Sequence, residues 1–280
     1  TDEPTAEPGS AIADGFTAVE GVAPIGPALP IGETGSVGGE VIVDEGWTAQ
    51  AVVDADAVTV VQAYLDQARQ LGLDVLVPAA DEPVPCGPEG GPVESAVVVC
   101  WGVAAAGSRD PNMAVVVRQG EAAGVPQSHL ELRFSRDAHW FQEELYPTGA
   151  TAEPPGPSDE WPPLAGEGEL IGADLDGMPN QVRVEPGSRL AGQPSVAGAY
   201  FGQSAVLEVT GDPAEVLARY REQLVETYGA GNVFDRPDLE VDGATLSVVS
   251  AQEAGGDEVT VTLVERPGET PWITMTSGHD

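Results

Sequence analysis

The chain contains no lysine; its eleven basic side chains are all arginines, the first of them Arg69. That absence removes Schiff-base chemistry on lysine and the lysine of a phosphate-binding P-loop. Basic charge is scarce altogether: 46 acidic residues face 11 basic ones, for a formal net charge of −35 at neutral pH. A field of this sign repels nucleic-acid phosphates and anionic lipid surfaces, so nucleic acid is excluded as a nonspecific partner. The acid excess favours solubility and attracts cations or a basic partner.

Histidine is rare too. His129, His139 and His279 show no His-x-x-x-His spacing, and the two cysteines have no nearby histidine to complete a zinc site. No Gly-x-Ser-x-Gly elbow is present. Gly202-Gln203-Ser204-Ala205 opens like one, but it lacks the closing glycine and leads into a strand where an elbow needs a helix. Ser128 and His129 are chain neighbours, which point to opposite faces of a strand. No catalytic residue is therefore expected. Aromatics make up only 5%, so the cores should rest on Ala and Val. No run approaches the roughly 18 apolar residues of a membrane-spanning helix, so no membrane span is expected; a lipid anchor stays open.

What is present begins with an acidic arm. Thr-Asp-Glu-Pro-Thr-Ala-Glu-Pro-Gly-Ser opens the chain, and residues 1–28 read as a disordered acidic tether. It looks like the remainder left by a removed signal, or like a cut inside a longer disordered region. Cys86 and Cys100 flank the turn-rich segment Gly87–Pro92, and Cys100 ends the strand-like run Ser95–Val99. A Cys86–Cys100 disulfide is expected, worth about 3 kcal/mol by loop closure, and with it an extracytoplasmic, secreted or cell-surface location.

Two segments match at a constant offset of 156. Asp56, Val60, Tyr64 and Gln67 coincide with Asp212, Val216, Tyr220 and Gln223. Each segment has the logic of a capped helix: an aspartate N-cap, then an apolar stripe at three- and four-residue spacing. Strand-like segments flank both in the same order, ending in Leu130–Phe134 and Trp272–Thr276. The expectation is an α+β fold, a tandem duplication of a two-layer unit with one main helix on an antiparallel sheet. Residues 29–146 form the first repeat, 147–169 a Pro-rich linker and 170–280 the second repeat.

The run Gly211-Asp212-Pro213-Ala214-Glu215-Val216-Leu217-Ala218-Arg219-Tyr220-Arg221, after Val206-Leu207-Glu208-Val209, resembles secreted or lipid-anchored cell-envelope proteins of high-GC Gram-positive bacteria. The resemblance covers mostly this helix and the acidic tether. It implies a cell-surface protein and no catalytic residues.

Candidate site residues are few. Asp174, Asp176 and Asn180 resemble part of a calcium loop but lack the third alternate ligand and the distal glutamate. No cofactor is expected unless these bind calcium. Trp161, between acids and prolines, and Trp140, in a short helical segment, are the expected interface anchors. The leading functional expectation is a non-enzymatic binding or scaffold protein whose partner is an unknown protein or envelope ligand. The alternatives are an envelope-polymer hydrolase using paired carboxylates and a calcium-dependent adhesion or regulatory module.

Overall fold

The computed structural model describes residues 8–37, 40–88, 97–107, 111–122, 125–136, 163–172, 182–197, 202–252 and 257–279. The chain divides into two compact units. Thr1–Gly90 with Glu94–Trp161 form the first, and Gly91–Val93 with Pro162–Asp280 form the second.

In the first unit, a small hairpin of β1 (Ala11–Ala13) and β2 (Phe16–Thr17) leads into the long strands β3 (Val22–Val37) and β4 (Glu40–Val53). Helix α1 (Ala57–Gln70) follows, then β5 (Asp74–Val77), β6 (Cys86–Pro88), β7 (Val98–Ala105), β8 (Asn112–Ala122) and β9 (Val125–Ser135). The main sheet runs β3-β4-β9-β8-β7-β5, with β6 paired to β7. Asp56 caps α1, accepting from the Thr59 amide and hydroxyl at 2.8 Å each. The buried stripe Val60, Val61, Tyr64, Leu65 and Ala68 packs with Val115, Val117, Leu130 and Leu132. Gly102 permits this approach: a Cβ there would lie 2.8 Å from a Leu65 methyl.

The second unit has β10 (Ser188–Leu190), β11 (Ser195–Ala197) and β12 (Gly202–Val209) ahead of helix α2 (Pro213–Tyr228). Then come β13 (Val233–Asp235), β14 (Leu239–Val241), β15 (Ala244–Gln252), β16 (Asp257–Glu265) and β17 (Trp272–His279). The sheet runs β10-β12-β17-β16-β15-β13, with β11 on β12 and β14 on β15. Asp212 caps α2 through the Glu215 amide, and Pro213 occupies the first turn. Val216, Tyr220 and Leu224 are fully buried, in one cluster with Leu207, Val261 and Ile273.

These elements correct the α+β expectation. The described residues carry seventeen strands and two α-helices, so the protein is predominantly antiparallel β. Two features hid this. Most edge strands are three or four residues long and leave no period to detect. The long strand β3 contains Pro24, Pro27 and Pro30, a composition that normally argues for loop. Proline is tolerated there because β3 is an edge strand, where a missing N–H breaks no outer ladder and discourages pairing with other chains.

The expected tether needs the same correction from residue 8 onward. Residues 8–28 hold β1, β2 and the start of β3, and Phe16 is buried. Its ring lies 5.9 Å from Trp47 and 6.0 Å from Phe134, while Trp47 stacks on Phe134 at 5.8 Å. In the β1–β2 turn, the Asp14 carboxylate accepts from the Trp47 indole (2.6 Å) and the Arg136 guanidinium (2.9 Å). The expected linker also ends early, because Gly168 and Glu169 already pair with Val184. Trp272 is half-buried, whereas Trp101 is fully buried. Among the described residues, no helix is long and apolar enough to cross a membrane.

Candidate helix–strap groove

Each helix holds an extended strap of chain that precedes its sheet. In the first unit the strap includes Thr17. The Gln67 side chain accepts from the Thr17 amide at 2.9 Å and donates to the Thr17 carbonyl at 3.1 Å. In the second unit Gln223 does the same for Arg183, accepting from its amide and donating to its carbonyl at 3.3 Å. One carboxamide thus satisfies both backbone groups of a residue that has no β partner on that side, as a neighbouring strand would.

In the second unit a tyrosine one helical turn earlier reinforces the clamp. Tyr220 Oη accepts from the Glu185 amide at 3.2 Å and meets the Ser188 hydroxyl at 2.8 Å. Burial pushes its pKa up, and Glu185's charge adds to this against the two hydrogen bonds. Burial likewise pushes the Tyr64 phenol up to about 12, against a backbone contact at Val19. The straps are tied along their other side as well. Gly9 and Ala18 exchange ladder bonds with Ala18 and Ser10, and Gly168 and Val184 do so with Val184 and Glu169.

Because each clamp serves two backbone groups, replacing Gln67 or Gln223 by alanine is expected to lower stability by about 1–3 kcal/mol. Urea unfolding reads this directly, and an unchanged midpoint would mean the straps are held by other contacts.

In the second unit, strap and helix border an open groove of about 350 Å³ lined by Arg183, Glu185, Arg219, Glu222, Gln223, Glu226 and Thr227. Both arginines are anchored at one edge of their guanidinium. Arg183 donates to the Gly168 carbonyl at 3.0 Å, and Arg219 to the Pro186 carbonyl at 2.7 Å. Arg219 also approaches Glu215 at 3.3 Å, and Gln223 donates to Glu185. Glu222 and Glu226 are exposed. The groove therefore offers guanidinium donors beside carboxylate acceptors, a surface suited to mixed-charge, hydrogen-bonding segments and unsuited to polyanions. In the first unit the matching helix positions are Ala63, Asp66 and Gln70, so this charge pattern belongs to the second unit alone.

A second polar group lies within the β8–β9 ladder, where Arg118 pairs with His129 and Gln119 with Ser128. Gln119 donates to the Ala55 carbonyl at 2.9 Å, and Ser128 to the Val53 carbonyl. Arg118 lies 3.6 Å from Glu131. Gln119 and Ser128 thus join the sheet to the chain entering α1, a structural use. Ser128 and His129 are not brought together as nucleophile and base, since Ser128 is engaged with Val53.

Among the expected site residues, Cys86 and Cys100 are joined in a disulfide. Asp174, Asp176 and Asn180 lie outside the described residues, as do Trp140 and Trp161. Among the described residues, no group of three or more potential ligands is placed to hold a metal ion, and no carboxylate is buried. The clamping glutamines had a visible signal, since both coincide at the 156 offset with their tyrosines. The strap residues that they hold show no period at all.

No family model and no curated protein matches the chain. Among solved structures, it is similar to a candidate thioesterase from Novosphingobium aromaticivorans at 11% identity, covering 94% of this chain and 99% of that one, with a TM-score of 0.16. A candidate thioesterase II from Thermobifida fusca matches at 8% identity, covering 90% and 95%, TM-score 0.16. A conserved protein of unknown function with a hot dog fold, from Alicyclobacillus acidocaldarius, matches at 11% identity, covering 83% and 92%, TM-score 0.16. Likenesses of this depth assign neither fold nor activity.

Proposed function

We propose that the protein is a non-enzymatic binding or scaffold protein acting outside the cytoplasm, with an envelope component as its partner. The observation that carries this reading is the groove between α2 and its strap. Its floor is a glutamine already committed to backbone, and its walls offer both charge signs without a nucleophile–base pair. The Cys86–Cys100 disulfide supports an oxidising compartment. The resemblance of residues 211–221 to Gram-positive envelope proteins supports the envelope as the site of action. Paired-carboxylate hydrolysis needs one desolvated carboxylate, and the described carboxylates are all at least partly exposed.

The test is sedimentation with purified Gram-positive wall sacculi stripped of anionic secondary polymers. Co-pelleting that weakens at least about tenfold in the Arg183→Ala/Arg219→Ala variant, with no soluble sugar or peptide released, is the expected result; two lost charge-assisted contacts suffice for that factor. Release of soluble fragments would replace this reading by the hydrolase. Protein that stays in the supernatant throughout would contradict an envelope partner. Calorimetry with calcium covers the third class, and heat accompanied by a rise in thermal stability would favour a calcium-dependent module.

A further inference from the structure

The outer edge of β7 is covered by two short strands. β5 pairs with its far half, through Asp74↔Ala105 to Val77↔Val103, and β6 with its near half, through Cys86↔Cys100, Gly87↔Val99 and Pro88↔Val98. The second unit is built alike. β13 covers Val249–Ala251 of β15, and β14 covers Ala244–Leu246.

The two units differ in how the short covering strand is fixed. β14 returns to β15 through the two-residue turn Asp242–Gly243, with φ of 50° and 72°. That geometry sets the register by itself. β6 and β7 are separated by residues 89–97, a length that rules out a two-residue turn and is entropically costlier to close. Of the three β6 residues, Pro88 has no N–H to give to the ladder. Beside the three ladder pairs and the Trp101 amide donating to the Pro85 carbonyl at 3.2 Å, the covalent tie on β6 is the disulfide at its first residue, directly across the ladder from Cys100. Underneath lies a strand worth covering: Ala96–Gly107 contains neither charge nor proline, and every residue of β7 is buried.

We propose that the Cys86–Cys100 disulfide is a redox-gated lock on this one sheet edge, whose reduction lets β6 leave β7 and uncovers the backbone edge of Val98–Trp101. The reductant is an external dithiol. Its thiolate attacks Cys86 Sγ, on the edge strand and the more accessible of the pair, at 5% exposure against 0% for Cys100. A mixed disulfide forms, and Cys100 leaves as a thiolate that takes up a proton. The second thiol of the reagent then displaces Cys86. Two electrons pass from the dithiol, which ends as a disulfide, and both cysteines end as thiols.

Hydrogen exchange read by mass spectrometry tests this on oxidised protein, on protein reduced with dithiothreitol and on the Cys86→Ser/Cys100→Ser variant. Alkylation confirms the thiol state. Peptides within 86–103 should exchange at least about tenfold faster in both reduced protein and variant, while peptides from β8–β9 and from 239–252 keep their rates. Unchanged exchange at 86–103 with both thiols free would overturn the lock. So would acceleration of the whole first unit together, because the bond would then serve global stability and not one edge.

Discussion

Replacing Phe16 by alanine is expected to lower the stability of the first unit by about 3–5 kcal/mol, the usual cost of removing a buried aromatic ring. The ring is 1% exposed and contacts Trp47 and Phe134, which stack on each other. No single neighbour can fill the space, since its hairpin is pinned by Asp14 to both Trp47 and Arg136. The effect discriminates between two physical pictures. A residue in a disordered acidic arm contributes nothing to the unfolding midpoint, whereas a residue of a clamped strap contributes as core. Equilibrium urea unfolding of the variant, followed by tryptophan fluorescence, separates them. An Asp14→Ala variant should show a much smaller loss, because its ion pair with Arg136 is partly exposed.

Alkaline pH should destabilise the protein through the two buried tyrosines. Burial raises the Tyr64 phenol to about 12 in the folded state, and Tyr220 moves in the same direction. In the unfolded chain both titrate near 10. A group whose folded pKa lies higher stabilises fully below the unfolded value, and that contribution is lost as pH rises through the folded one. For Tyr64 the window is therefore about pH 10 to 12, and the loss amounts to about 2–3 kcal/mol. Tyr64→Phe should be at least as stable at neutral pH, because the buried Tyr64 hydroxyl makes no hydrogen bond among the described residues, and should then show a shallower decline across this window. Urea midpoints at several pH values between 9 and 12 give the slope directly. Equal slopes for wild type and variant would contradict the assignment.

The parts of the fold legible in the sequence are those with a long period or a cap. Asp56 and Asp212 are N-caps, and Tyr64 and Tyr220 fall on buried stripes. The cysteine pairing was legible because a turn-rich segment separates two strand-like flanks. The class was not legible, for identifiable reasons. Strands such as β6, β10 and β14 have three residues each, too few to alternate. β3 carries three prolines that only its edge position excuses. The opening residues look disordered by composition, yet Phe16 and the Thr17 backbone find their partners some 30 and 50 residues away, in Trp47 and Gln67. The groove was half visible: Gln223 and Arg219 sit on a recognised helix, while Arg183 and Glu185 belong to a strap without a pattern.

The direct test of the strap clamps, and of the preformed groove that depends on them, is amide hydrogen exchange at Thr17 and Arg183 in the native protein. Each amide donates to the side chain of one helix glutamine. Clamped straps predict exchange at least about a hundredfold slower than in an unstructured peptide, with that protection lost at Thr17 in Gln67→Ala and at Arg183 in Gln223→Ala. Exchange of either amide at the free-peptide rate in the wild-type protein would contradict the clamp.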